Sequence, residues 1–329
     1  MRFYVGTYSV PGSPGLALCK DENGQLTLLD SYNALRNPTY LIPSQDGQRL
    51  FVVAEDEQDQ SVAVSFCIAK DPFAPLSACV MDDARACHLA LNDVENTLYT
   101  AHYHQGSLAV LAIDSDGRIT RQIQQIQHHG RGAHPTRQEK AHVHHVAFRP
   151  GKQELFVCDL GIDQIIVYTA APDGMLTEKQ RISVPAGTGP RHLVFRNDQQ
   201  FYVAGELSST VLSFALDDEA WTQQQSLSTL PQDGDYPDNT CAAIRLADSR
   251  LYVSNRGADN IAIFEVDASG RIMPAGHIPC HGQSPRDFVV TPYGFLCANQ
   301  FSGTVTAVAH DGTLLDTLPI PGAVCICLV

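Results

Sequence analysis

The sequence predicts an all-β fold assembled from repeated units, on three observations. A two-strand pattern recurs: an apolar run such as Arg191-His-Leu-Val-Phe195, a turn, then a second run such as Gln200-Phe-Tyr-Val-Ala-Gly-Glu206. The apolar anchors of the first run, Leu41, Leu89, Val146, Leu193, Ile244 and Phe288, lie about 44 to 57 residues apart, the size of a four-stranded blade and not of a helical repeat. The two ends of the chain also complete each other. Phe3-Tyr-Val-Gly-Thr-Tyr8 reads as a second strand with no first strand before it, and Ala323-Val-Cys-Ile-Cys-Leu-Val329 as a first strand with nothing after it. The expected architecture is a seven-bladed β-propeller, closed by pairing of the N- and C-terminal strands in one blade. Closure removes the exposed edges of an open stack. Residues 1–329 are expected to form this single domain.

Each element of the repeat has its own sequence signal. The second strand returns as Leu50-Phe-Val-Val-Ala, Leu98-Tyr-Thr-Ala, Leu155-Phe-Val-Cys, Phe201-Tyr-Val-Ala, Leu251-Tyr-Val-Ser and Phe295-Leu-Cys-Ala. A third short strand follows, as in Ser209-Thr-Val-Leu-Ser-Phe214. Asp46-Gly47, Pro150-Gly151 and Asn197-Asp198 punctuate the turns between first and second strands, residue types that suit tight reversals. Val10-Pro-Gly-Ser-Pro-Gly15 reads as a blade loop and not as a linker. No capped helical period interrupts the pattern.

Composition narrows the function. Apolar residues make up 44% and charged residues 18% of the chain, a balance that folds. The formal net charge of −14 argues against binding nucleic acid or an anionic membrane through the overall field. An anionic ligand would require the few cations to be gathered in one place. The ten cysteines form no CxxC pair, and most sit in apolar runs, as expected of free thiols in a reducing cytoplasm. No leader or long apolar run is evident, so a cytoplasmic protein is expected, monomeric or weakly self-associating.

The blade geometry brings polar positions together. The first strand lines the channel, and the second runs antiparallel beside it. The start of one and the end of the other therefore meet near the axis on one face. Two residues before each anchor stand Thr39, Cys87, His144, Arg191, Ala242 and Arg286. At the ends of second strands stand Tyr8, Glu55, Tyr103, Leu160, Glu206, Arg256 and Gln300. His142 shares the strand face of His144, and Asn37, Asn255 and Asn299 lie close by. Three arginines, two glutamates and two histidines thus converge where packing needs no charge, and burying them without partners would be costly. The segment 127–146 is rich in histidine and explains the longest spacing as an enlarged loop over the funnel. His142-x-His144 has no carboxylate or cysteine at a local spacing that completes a metal site. No metal and no cofactor are expected. Gly-x-Ser-x-Gly, His-Glu-x-x-His and Gly-Lys-Ser/Thr motifs are absent.

These motifs resemble the propeller lactonase family that includes bacterial 6-phosphogluconolactonase and fungal carboxymuconate cyclases. The matching stretches are Gly6-Thr-Tyr8, Asn37-Pro-Thr-Tyr-Leu41, His134-Pro-Thr-Arg-Gln138, His142-Val-His144, Gly189-Pro-Arg-His-Leu193, Glu206-Leu-Ser-Ser-Thr-Val211, Ser254-Asn-Arg-Gly257 and Ser284-Pro-Arg-Asp-Phe288. They span essentially the whole chain. The resemblance implies catalytic roles for His142 or His144, Arg191, Glu206 and Arg256, with Arg286 as a further anion binder. Tyr103, Glu55, Asn255 and Gln300 are added as substrate-binding candidates from their places near the axis. The chain departs from the family pattern at His102, Gly205 and Ala141, where Asn, Asn and Pro are usual.

The implied substrate is a small anionic lactone. Opening it requires an activated water, a stabilised oxyanion and a proton for the leaving alkoxide. Glu206, His142 or His144 could supply the base, and a histidine the acid. Arg191 and Arg256 could serve the oxyanion or clamp a phosphate, with Arg286 assisting. Two other readings compete: a carboxymuconate-type lactone cycloisomerase, whose polycarboxylate would engage the same arginines, and a non-catalytic propeller acting as an interaction platform.

Overall fold

The computed structural model describes residues 1–329 except Lys70, Ala84, Asp93 and Glu95. Numbered in chain order, the strands are β1–β3 (Arg2–Thr7, Leu16–Glu22, Gln25–Tyr32), β4–β7 (Arg36–Pro43, Arg49–Glu55, Ser61–Cys67, Ala74–Val80) and β8–β11 (His88–Asn92, Thr97–His102, Ser107–Ile113, Ile119–Gln127). There follow β12–β15 (Val143–Phe148, Glu154–Asp159, Gln164–Ala170, Leu176–Ser183) and β16–β19 (Pro190–Asn197, Gln200–Gly205, Thr210–Asp217, Ala220–Ser228). The last are β20–β23 (Thr240–Ala247, Arg250–Arg256, Asn260–Val266, Ile272–Pro279), β24–β27 (Pro285–Thr291, Gly294–Asn299, Thr304–Ala309, Leu314–Pro319) and β28 (Ala323–Leu328). A 3₁₀ turn, Leu160–Ile162, follows β13.

These strands make seven antiparallel sheets of four, and the seventh has the order β28-β1-β2-β3. The expected propeller and its terminal closure are therefore both present. Burial follows position within the blade. The second strands are nearly all buried, as in Phe201–Gly205, because sheets pack on both their faces. The outermost strands are largely exposed, as in Leu176–Ser183, where only Leu176 and Ile182 are buried, because they meet water at the rim. Among the described residues seven apolar clusters sit between blades, and each draws on two neighbouring sheets. One joins Phe3, Val5 and Ile326 of the closing blade to Leu296 and Val305 of the blade before it.

The inner strands hold one feature that strict alternation misses. Their ladders slip between Arg36 and Tyr40, Val143 and His145, Pro190 and His192, Cys241 and Ile244, and Pro285 and Asp287. The slips at Val143, Pro190 and Pro285 each carry one extra residue, as a bulge does, and a bulge turns two successive side chains towards the same side. The channel thus receives pairs, and the single expected ring becomes two tiers. Thr39, Cys87, His144 and Arg286 belong to the upper tier, facing the funnel. Tyr40, His88, His145, His192 and Asp287 form the tier beneath. Ring contacts across the axis show this: Tyr40 lies 4.1 Å from His88 and 6.4 Å from His192, and His145 lies 4.8 Å from His192, centroid to centroid.

Closure rests on β28. It pairs with β1 from Phe3↔Leu328 to Thr7↔Ala323, and the Asp287 carboxylate accepts the Ile326 N–H at 2.9 Å. Ile326 is buried in the closing cluster. Replacing Ile326 by alanine is expected to lower unfolding free energy by about 2–5 kcal/mol, measured by urea denaturation. The same truncation at the exposed Leu314 is expected to fall within about 0.5 kcal/mol of the parent.

Candidate active site

The funnel above the upper tier is a cavity of about 360 Å³. Its walls include Tyr8, Arg85, Tyr103, Arg137, His144, Glu206, Arg256 and Arg286. A narrower cavity continues inward beside Arg191, His192, Cys87 and Asp287.

Glu206 is the centre. It follows β17, where its backbone N–H donates to Gly189 O at 2.8 Å and its carbonyl accepts from Cys241 N at 3.2 Å. Two blades therefore fix the main chain. The side chain is almost fully buried. One carboxylate oxygen, Oε2, lies 2.9 Å from Arg191 Nε and 3.0 Å from Arg256 Nη2. The other, Oε1, is paired with Arg137 Nη2. Burial opposes ionisation, but the guanidinium groups of Arg256, Arg191 and Arg137 outweigh it and hold the carboxyl well below its ordinary range. The Arg191 contact is close yet out of line for a hydrogen bond, so its Nε, like Arg256 Nε, has no hydrogen-bond partner among the described residues. Burial pushes the Arg191 guanidinium down to about 9, with the neighbouring positive charge of Arg256 adding to the effect.

His144 lines the cavity beside this hub. Its Nδ1 has no hydrogen-bond partner among the described residues. Burial first and then Arg191 keep its ring well below the ordinary 6.5, so the imidazole is neutral. His142 is not in the cavity wall. It stacks on Tyr103 at 4.3 Å and 14°, donates from Nδ1 to the Tyr103 carbonyl at 2.9 Å, and reaches Glu139 with Nε2 at 3.2 Å. Both nitrogens are engaged, and the ring braces Tyr103 from behind.

The structure brings His144, Arg191, Glu206, Arg256, Arg286 and Tyr103 together around the two connected cavities. Arg286 sits 5.5 Å over the Tyr8 ring and reaches Gln300 Oε1 only at 3.5 Å. Gln300 and Glu55 stand behind the wall. Glu55 pairs with Arg85 and accepts from Asn37. Asn255 is placed differently from the substrate-binding position expected of it. Strand alternation turns it away from Arg256 and between blades. There its amide donates to Thr229 O at 2.8 Å and Asn260 Oδ1 at 2.9 Å, and its oxygen accepts from Thr229 Oγ1 at 2.8 Å. It pins the 229–239 loop.

Two cavity arginines were missed in the sequence. Arg85 stands at the same offset from its anchor as His142 does from Val146, so the ring rule could have found it. Arg137 lies in the enlarged loop, where no ladder register applies. Among the described residues, no group of three or more His, Cys, Asp and Glu is arranged to hold a metal.

Fold and cavity together define a seven-bladed propeller with a charged candidate site on its axis. The chain belongs to the family described as lactonase, 7-bladed beta-propeller, which it matches over residues 2–326. It is 33% identical to the 6-phosphogluconolactonase of Bacillus subtilis, over 98% of this chain and 97% of that protein. Among solved structures, a protein of Lactobacillus plantarum superposes with a TM-score of 0.90 at 33% identity, covering 99% of this chain and 98% of that one. The periplasmic gluconolactonase of Pseudomonas aeruginosa superposes at 0.89 with 27% identity and the same coverage. The chain is accordingly a lactone-hydrolysing enzyme, a carboxylic-ester hydrolase acting on a small-molecule lactone.

The lower tier makes the fold sensitive to acid. Burial holds His88 and His192 well below 6.5 and His145 down to about 3. In the unfolded chain these rings take up protons as pH falls below about 6.5, whereas the folded chain resists. Their contribution is therefore complete above 6.5 and is lost progressively below it. Melting temperature is expected to fall from about pH 7 to about pH 5. His145→Gln is expected to flatten that slope in a scanning calorimeter.

Proposed function

We propose that the enzyme hydrolyses a phosphorylated sugar lactone, 6-phosphogluconolactone, to 6-phosphogluconate in the cytoplasm, as a step of the pentose phosphate pathway. The observation that carries this reading is the imbalance of charge in the cavity wall. Arg85, Arg137 and Arg256 each face a carboxylate. Among the described residues Arg286 has none; it stands over Tyr8 with only a 3.5 Å contact to Gln300, which leaves its charge uncompensated for an incoming anion. The name of the Bacillus subtilis relative supports the phosphorylated substrate. Ten free cysteines support a reducing compartment.

In this reading His144 is the general base. Its neutral ring and unpartnered Nδ1 suit proton uptake from a water. Glu206 suits that task poorly, because three guanidinium groups make its carboxylate a weak base. Its role is to hold Arg191 and Arg256 towards the oxyanion that forms when hydroxide adds to the lactone carbonyl. The ring C–O bond then breaks, and the His144 imidazolium returns its proton to the leaving alkoxide. The products are a hydroxyl and a carboxylic acid that ionises in water. A bound phosphate also offsets the positive field around His144, which makes the ring more basic when substrate is present.

His144→Ala is expected to lower kcat by about 100-fold or more with a smaller change in KM. Arg286→Ala is expected to lower the ratio of kcat/KM for the phosphorylated lactone to that for its unphosphorylated analogue by about tenfold or more. An unchanged ratio would remove phosphate recognition from Arg286, and activity only on a carboxymuconolactone would replace the substrate.

A further inference from the structure

The connection 128–142, between β11 and β12, is the longest link between blades. It has no strand of its own, yet its ends and middle are fixed. Asp159, at the end of β13, holds both ends: Oδ2 lies 2.8 Å from His128 Nδ1, and Oδ1 accepts the His142 N–H at 2.8 Å. His128 Nε2 meets the Tyr168 hydroxyl at 2.9 Å. Within the loop the fully buried Gln138 donates to Leu160 O at 2.8 Å and accepts from His134 N at 2.9 Å. The far end is threaded between two glycines. A Cβ on Gly161 would stand 2.0 Å from Lys140 O, and one on Gly106 would stand 2.3 Å from Ala141 O. No other residue type leaves room for the segment to lie there.

This seat delivers a single side chain to the funnel. Arg137 donates from Nε to the Tyr103 hydroxyl at 3.2 Å and pairs through Nη2 with Glu206 Oε1. Arg191 and Arg256 both approach the opposite oxygen. Arg137 is therefore what stops the carboxylate from turning about its own axis, and with it the two guanidinium groups that follow Oε2.

We propose that the 128–142 segment is a preformed strap and that Arg137 is a positioning residue, which orients the Glu206 carboxylate and so aims Arg191 and Arg256 at the lactone. The inference rests on the role given above to Glu206, and it assigns the Asp159 staple and the two glycines to catalysis through Arg137. A misplacement of about 1 Å in such a group can cost about 100-fold in rate.

The test is steady-state kinetics on the whole enzyme with 6-phosphogluconolactone and its unphosphorylated analogue. Arg137→Ala is expected to lower kcat by about 10- to 100-fold on both lactones with KM changed by less than about threefold, and Arg137→Lys to recover part of the loss. Gly161→Ala, which alters no charge, is expected to lower kcat in the same pattern by unseating the strap, with thermal melting monitored to identify any loss of fold. In a Glu206→Gln background, removing Arg137 is expected to cost little more, because both act through one carboxylate. A rise in KM with kcat preserved, or a lysine variant no better than alanine, would make Arg137 a ligand or a fold element and overturn the inference alone. Full additivity with Glu206→Gln would do the same. Near-normal turnover in Glu206→Gln itself would overturn both this inference and the role of Glu206 on which it rests.

Discussion

One carboxylate organises the site. Glu206 is a buried anion, and its desolvation is tolerated only because guanidinium groups from three other parts of the chain converge on it: Arg137, Arg191 and Arg256. Arg191 comes from the same blade as Glu206, Arg256 from the next blade, and Arg137 from the strap between two others. The dependence also runs the other way. The three cations repel one another, and the shared acid offsets that repulsion.

The two channel tiers divide the labour that this arrangement demands. The upper tier carries charge and opens to the cavity. The lower tier carries neutral histidine rings in edge and tilted contact, with Tyr40 on one side and the Asp287–Arg245 pair on the other. Neutral rings give the arginines above them a floor that adds no further positive charge. They also keep Arg191 in place, since its Nη1 meets His192 Nε2 at 3.1 Å.

Much of this was legible in the sequence. Blade spacing and the complementary termini determine the ring, because each blade needs one apolar first strand at a regular interval. The axial positions of His144, Glu206 and Arg256 follow from that spacing alone. The lower tier was not legible. Reading the inner strands with strict alternation places His145 and His192 between blades, whereas the bulges at Val143–His145 and Pro190–His192 turn them to the axis. Asn255 differs in the opposite sense: its place near the axis suggested the cavity, and the regular β21–β22 ladder, in which it pairs with Asn260, sends it outward. Arg137 was hidden because its position depends on Asp159, Gln138 and two distant glycines and on no periodic signal.

The bulges also set how the protein can change. Several inner strands present a dipeptide, such as His144-His145 or Arg191-His192, whose two members turn to the axis at different depths. A one-residue deletion within such a strand would exchange the two members, swapping groups of the upper tier for those of the lower one while leaving the length of the ladder nearly intact. Substitution at either member is a gradual route to new specificity, whereas frame slippage is an abrupt one, so variation among descendants of this chain should concentrate in side-chain identity and spare the count of residues along the axis.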